Sequence, residues 1–222
     1  TQQTRESHAV STATTVNVQG LFEPNGPITA DIYSQMEQAI AGSQLTEVRQ
    51  YVGDLERKIE EGLNSEEAYA RAGVGSYLLA RQATANRLLA NVKTDGYAIF
   101  IHAQCLSAME EHQQAADRFE DAGKAGYDPV GCTLRRAGAV RAAGNVDEAE
   151  KLLRSVASQA ASRAEYSFQM GCIWADRGDA LTAVEYFERA VDMDPHHTRA
   201  LFWLAAENSL RGNDDEAIRL YE

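Results

Sequence analysis

The stretch AEYSFQMGCIWADRGDALTAVEYFERAVDMDPHH, residues 164–197, contains two helical segments joined by a short turn. The first segment covers 164–177 and the second covers 180–193, and neither contains a proline, which would break a helix. Gly178 lies between them, where a chain reversal needs a permissive residue. The stretch therefore predicts one antiparallel helix pair.

The same pattern recurs every 34 residues, with units that begin at Gly96, Val130, Ala164 and Thr198. Aligned columns keep residue size: small at Ala103, Ala137, Gly171 and Ala205, small at Ala115, Ala149, Ala183 and Ala217, and large at Phe119, Leu153, Phe187 and Tyr221. Two helices cross closely only where side chains are small, and a bulky neighbour fills the gap beside them. One pair cannot bury its apolar face alone, so the repeat predicts stacked pairs.

This pattern resembles the tetratricopeptide repeat (TPR) family. Unit 164–197 carries the family's spacing most clearly, at Gly171, Trp174, Gly178, Ala183, Phe187, Ala190 and Pro195. The array covers 96–222 as units 96–129, 130–163, 164–197 and a truncated 198–222. The resemblance implies an all-α fold of stacked antiparallel helix pairs forming a right-handed α-solenoid, whose concave groove binds a peptide or partner protein.

The first part of the chain follows the repeat less closely. Residues 29–95 are predicted to form divergent helical pairs, with Thr29 capping the helix 30–41 and Asn64 capping the next pair. Residues 1–28 are predicted to be a tail or an irregular lead-in, with a possible short strand over 14–18.

The resemblance places the first helix of each pair on the concave side of the solenoid. An apolar column on these helices, Phe100, Leu134, Phe168 and Phe202, is expected to face the groove, while Trp174 faces the packing partner. The expected groove residues are Tyr97, Phe100, Gln104, Leu134, Arg135, Arg141, Phe168, Cys172, Arg199 and Phe202. The arginines are expected to contact acidic groups of the guest segment at the rim.

Composition excludes several classes of function. The formal net charge of −12 disfavours nucleic acid and anionic membrane surfaces as partners. No apolar stretch is long enough for membrane insertion. Three cysteines without a CxxC spacing indicate buried thiols in a reducing, cytoplasmic compartment, although a signal segment upstream of Thr1 could have been removed.

No motif in the sequence indicates catalysis, a metal site or a cofactor. His196 and His197 adjoin in a turn, where converging metal ligands are rarely available. His102 and Arg136 occupy a column that is otherwise apolar, and they are expected to find partners within the helix interfaces.

The sequence predicts a non-enzymatic interaction scaffold that binds a peptide segment or partner protein in its groove. Two alternatives stay open at this stage. The chain could be a regulatory or docking domain of a longer protein or enzyme, or a structural unit that self-associates as a homodimer through the C-terminal repeat edge near 198–222.

Overall fold

The computed structural model describes residues 15–221, and the regular structure within them consists of fourteen α-helices and no strand. The helices are α1 (Val18–Phe22), α2 (Ala30–Ala41), α3 (Leu45–Glu60), α4 (Glu66–Leu78), α5 (Gln82–Leu89), α6 (Gly96–Ala108), α7 (His112–Lys124), α8 (Pro129–Ala142), α9 (Val146–Ser155), α10 (Ala157–Ala160), α11 (Ala164–Asp176), α12 (Ala180–Met193), α13 (Thr198–Leu210) and α14 (Asp214–Tyr221). The predicted all-α class is confirmed.

The helices pack as successive antiparallel pairs. The pairs are α4–α5, α6–α7, α8–α9, α11–α12 and α13–α14. The second helix of each of the first four pairs also packs on the following pair. The result is a right-handed solenoid of the predicted type, with an apolar core that continues from pair to pair. The first helices α4, α6, α8, α11 and α13 contribute residues to one shared cavity.

The close approach of the two helices in a pair depends on the small residue of the first helix. A Cβ atom on Gly171 would lie 2.6 Å from the ring of Phe187, and one on Gly73 would lie 2.6 Å from the side chain of Leu89. Phe187 and Leu89 are fully buried in these contacts. The contact between the small residue of the first helix and the large residue of the second therefore sets the distance between paired helices, and the recurring residue sizes in the sequence encode it.

The turns inside three of the pairs use a left-handed backbone. Gly144, Gly178 and Gly212 have φ values of 92°, 77° and 78°, which glycine adopts without steric cost. Glu110 takes the same place in the pair α6–α7 with φ 63°, where a side chain costs about 1–2 kcal/mol. The repeat thus keeps its turn geometry even where glycine is missing.

Residues 15–18 form no strand, so the predicted strand over 14–18 is wrong in the part that the structure describes. Val18 begins α1, and Val16 pairs with the side chain of Gln44 instead of with a strand. The buried guanidinium of Arg71 donates hydrogen bonds to the carbonyl oxygens of Leu21 (2.7 Å) and Asn25 (2.6 Å). These bonds tie the lead-in to α4, while residues 1–14, including Thr14, lie outside the described part of the chain.

The structure confirms one predicted helix start and corrects two other predictions. The Thr29 cap is confirmed, since its hydroxyl accepts a hydrogen bond from the Ile32 N–H. The cap of α4 is Ser65 instead of Asn64, because the Ser65 hydroxyl accepts from the Ala68 N–H. The predicted helix 146–158 is interrupted at Val156, whose backbone leaves the helical region between α9 and α10.

The two polar residues in the apolar column both have partners. His102 is buried, and its Nδ1 accepts a hydrogen bond from Arg118 (3.0 Å), so its Nε2 donates to the Asn86 side chain (2.7 Å). Burial, together with the Arg118 charge, lowers the pKa of His102 to about 4, and the ring is neutral at pH 7. Arg136 pairs with Glu120 at 2.8 Å. Both residues are structural, as the sequence predicts.

Within residues 15–221, no helix has both the length and the apolar character that crossing a bilayer requires.

Prediction for the helix-pair contact. Replacing Gly171 with alanine should destabilise the protein by about 1–3 kcal/mol, because the added methyl group overpacks against Phe187, which is enclosed and cannot move away. The matched control is Gly53 of α3, where a Cβ would meet nothing within 4 Å. Gly53→Ala should stabilise by about 0.8–1 kcal/mol through helix propensity. Urea unfolding of both variants measures the difference, and equal effects of the two substitutions would contradict the contact's importance.

Candidate functional site

The first helices of the pairs enclose an open cavity of about 420 Å³ on the concave side of the solenoid. Residues of the first helices α4, α6, α8, α11 and α13 form its wall, together with two residues of α7. The wall residues are Tyr77, Gln104, Ser107, His112, Phe119, Arg135, Gly138, Ala139, Arg141, Ala142, Phe168, Gln169, Arg199 and Trp203. This volume lies within the usual range of about 300–1,000 Å³ for ligand sites.

The 34-residue repeat explains which residues reach the cavity. Arg135, Gln169 and Trp203 occupy one repeat column, and all three line the wall. Ser107 and Arg141 share a second column in the same way. The column of Arg135, Gln169 and Trp203 lies one residue beyond the apolar column of Phe100 and its equivalents, a rotation of about 100° around the helix axis.

Five of the ten predicted groove residues line the cavity, namely Gln104, Arg135, Arg141, Phe168 and Arg199. The other five, Tyr97, Phe100, Leu134, Cys172 and Phe202, do not. Leu134 and Cys172 are buried in the core, so the free chain does not present them to a guest. Phe168 reaches the wall although its ring is almost completely buried between Phe187 and His197.

Tyr97 and Phe100 belong to an aromatic cluster beside the cavity. The Tyr97 ring lies 5.6 Å from Tyr33 and 4.8 Å from Tyr127, and Phe100 lies 4.8 Å from Tyr127. Phe100 also contacts Phe119, which does line the cavity, at 5.4 Å. These half-buried rings join the packing of the N-terminal pairs to the wall of the groove.

Gln169 and Trp203 line the cavity but are missing from the predicted set. Trp203 is half-buried and stacks on Phe187 at 6.1 Å, whereas its neighbour Phe202 is 56% exposed and lies off the wall. The signal that could have identified both residues is their position 34 and 68 residues after Arg135. Trp174 packs against the core cluster around Phe187, on the side where the sequence predicts it.

Glu165 at the start of α11 organises the charges at the C-terminal end of the cavity. Its carboxylate accepts hydrogen bonds from Arg199 (2.6 Å), Gln169 (2.8 Å) and His197 (3.3 Å), and Arg135 lies 3.7 Å away. Burial alone raises the pKa of Glu165, but the His197 hydrogen bond and the charges of Arg135 and Arg199 outweigh burial and lower it to about 2. Glu165 thus stays ionised and links α11 to α13.

His197 has a structural role in this cluster. Its Nδ1 accepts from the Ala200 N–H at 3.1 Å and so caps α13, while its Nε2 donates to Glu165. In the described residues, no three His, Cys, Asp or Glu side chains come together as metal ligands. The cysteines are buried free thiols, and burial raises the pKa of Cys172 to about 11 and that of Cys132 to about 12. Neither thiol is an activated nucleophile at neutral pH.

The paired helices, their small-to-large contacts and the concave cavity define a protein of the TPR fold. No family model matches the chain, and no curated protein matches it in sequence.

Solved structures of TPR proteins share this architecture. YrrB, a TPR protein with an unusual peptide-binding site, aligns with a TM-score of 0.58 and 19% identity over 78% of this chain and 90% of its own. MamA from Desulfovibrio magneticus RS-1 aligns with a TM-score of 0.52 and 17% identity over 70% of this chain and 90% of its own. The Cut9–Hcn1 hetero-tetramer of the APC/C aligns with a TM-score of 0.63 and 15% identity over 86% of this chain and 41% of its own. At these identities the similarity shows the fold.

Prediction for the Glu165 cluster. Because the folded-state pKa of Glu165 is depressed from 4.5 to about 2, its ionisation stabilises the protein above pH 4.5. This contribution should be lost as the pH falls from about 4.5 towards 2, and it should amount to at most about 3 kcal/mol. Glu165→Gln should therefore unfold more readily than the wild type at pH 6, and the difference should shrink by pH 3.

Urea unfolding followed by tryptophan fluorescence measures this difference, since Trp203 lies on α13 beside the cluster. The control is Glu188→Gln at an exposed position of α12, which should change stability by less than about 0.5 kcal/mol at either pH. A Glu165→Gln penalty that is the same at pH 6 and pH 3 would show that the charge contributes nothing.

Proposed function

We propose that this protein is a non-catalytic interaction scaffold that binds an extended segment of a partner protein in its concave groove. The observation that supports this function most directly is the cavity of about 420 Å³, whose wall combines aromatic rings with hydrogen-bonding side chains. Binding sites commonly have this mixture, in which apolar surface supplies affinity and a few polar groups fix orientation.

The energetics of the wall favour a peptide guest. Tyr77 and Trp203 are half-buried, so each still has ring surface that a guest can cover. Covering one ring contributes about 1–3 kcal/mol, from which the cost of ordering the guest must be subtracted. The Gln104 amide offers a donor and an acceptor that suit a peptide backbone, and the Ser107 oxygen, whose proton is donated to the Ala103 carbonyl, offers an acceptor. The similarity to YrrB, a TPR protein with a peptide-binding site, is consistent with this role.

Prediction for groove binding. Ala142 is exposed and lines the cavity, whereas the adjacent Ala143 is exposed but does not. Ala142→Trp should fill the groove and abolish capture of the partner. Ala143→Trp should leave capture unchanged, because its side chain lies outside the cavity, and it is a matched control because it adds the same ring at the same helix end. The measurement is affinity capture of partners with each variant, quantified by mass spectrometry. Equal capture by Ala142→Trp and wild type would place the binding surface elsewhere.

A second candidate function, self-association, is favoured by the distribution of apolar surface. Among the described residues, the large apolar side chains with high exposure all lie in the last two units, including Leu181 at 70%, Leu210 at 82% and Ile218 at 57%. Exposed apolar side chains concentrated in one region indicate an interaction surface. A second copy of the chain could cover the surface formed by α13 and α14.

Prediction for self-association. If copies associate through α13 and α14, light scattering should show a mass that rises towards the dimer with concentration. The double substitution Leu210→Asp and Ile218→Asp should return the mass to that of a monomer. Met193→Asp, at a less exposed position at the end of α12, serves as the control and should leave the dimer intact. A wild-type protein that stays monomeric at every concentration eliminates this second function.

A further inference from the structure

The charged side chains on the cavity wall are all of one sign. Arg135, Arg141 and Arg199 line the cavity, and no aspartate or glutamate is among the residues that line it. The chain as a whole contains 33 acidic and 21 basic residues, so the cavity wall has a positive charge although the whole chain has a negative one. A concave surface with this charge attracts anionic groups from solution.

Helix α8 is the source of this excess charge. Its sequence, PVGCTLRRAGAVRA, contains three arginines and no acidic residue, and two of the three, Arg135 and Arg141, line the cavity. The neighbouring first helix α6, GYAIFIHAQCLSA, contains no Asp, Glu, Lys or Arg at all. Helix α6 therefore adds no charge that would balance these arginines, whereas α11, on the other side of α8, places Glu165 beside Arg135 and Asp176 beside Arg141.

Arg135 has unused hydrogen-bonding capacity. Its only ion pair is with Glu165 at 3.7 Å, which is longer than a hydrogen bond, and none of its N–H groups has a hydrogen-bond acceptor within residues 15–221. Burial lowers the pKa of Arg135, because a guanidinium removed from water without full compensation is less stable in its charged form. An incoming carboxylate would supply the compensation that Glu165 does not.

Glu165 compensates Arg135 only in part, because its carboxylate is held by three shorter contacts to other side chains. One oxygen accepts from Gln169, and the other accepts from Arg199 and His197. Arg199 is further fixed over the Phe168 ring at 4.6 Å. Arg135 thus contributes its charge to the cluster around Glu165 through a long ion pair, and its N–H groups remain available to a guest.

Arg141 lies further along α8 than Arg135, and an ion pair holds it in place. Its guanidinium contacts both oxygens of Asp176 from the next unit, at 3.2 and 3.0 Å, through a single nitrogen. Its Nε–H is buried and has no acceptor in the described residues. Asp176 thus orients Arg141 towards the groove without using all of its donors, and planar guanidinium groups of this kind match carboxylates in geometry.

We propose that the groove selects acidic segments, with an Asp or Glu side chain of the partner bound to Arg135 and Arg141 over Gly138, and an adjacent apolar side chain against Trp203. This inference rests on the proposed function, because it names the chemistry of the segment that the same groove binds. A long polyanion such as a nucleic acid fits less well, since a chain of net charge −12 repels it outside the groove.

The dimensions of the groove set the length of a suitable probe. Five first helices, α4 to α13, contribute to the wall, and packed helices lie about 8–10 Å apart. An extended chain covers about 3.3 Å per residue, so a segment of about 12 residues spans the wall.

The experiment compares two pools of fluorescein-labelled 12-residue peptides by fluorescence polarisation. The acidic pool has Asp or Glu at every third position among apolar and small residues, and the neutral pool has Asn or Gln at the same positions. The wild type should bind the acidic pool about tenfold more tightly or better, and this preference should weaken as salt is added. Arg135→Gln and Arg141→Gln should each lose most of the preference.

The matched control is Arg49→Gln, which removes the same charge from an exposed position on α3 and should keep the preference.

The Ala142→Trp variant separates the two proposals. Equal binding of both pools by the wild type, with loss of both in Ala142→Trp, overturns the acidic selection and leaves groove binding intact. Binding that survives in Ala142→Trp, or no binding of either pool by the wild type, overturns both proposals. Displacement of the acidic pool by a 12-nucleotide single-stranded RNA at lower concentration than by unlabelled acidic peptide also overturns the acidic selection.

Discussion

The contact between Gly171 and Phe187 is the constraint on which the rest of the structure depends. Because no Cβ separates the helices at Gly171, the Phe187 ring can fill the space between them, and the pair closes around a buried aromatic side chain. Gly73 and Leu89 repeat this arrangement near the start of the solenoid. Constant spacing within pairs allows regular stacking between pairs, and regular stacking brings the first helices side by side to form one groove.

The sequence was sufficient to predict the helix pairs but not the orientation of the groove. Residue size recurs every 34 positions, and this period can be read directly, so the order of the helix pairs and the turn at Glu110 follow from it. The orientation depends on a rotation of about 100° per residue, and an error of one position moves a column from the wall to the core. Leu134 lies in the core for this reason, while the adjacent Arg135 faces the cavity.

The Glu165 cluster could not be predicted because its members come from distant parts of the chain. Gln169 follows Glu165 by one helical turn on α11, but Arg135 lies on α8 and Arg199 on α13, and no local pattern connects these two arginines with Glu165. Their convergence follows from the stacking itself, since repeat positions one unit apart become neighbours on the concave side. The spacing of 34 residues from Glu165 to Arg199 is the one trace of this pairing in the sequence.

Three titratable groups around the groove have charge states that do not change near neutral pH. Glu165 has a pKa of about 2 and remains anionic, whereas Cys172, with a pKa of about 11, and His102, with a pKa of about 4, remain neutral. Because the ionisation of each group lies several pH units from neutrality, its charge is set by its burial and its partners and not by small changes of pH. The electrostatic contribution of these three groups to the groove is therefore constant across the neutral range.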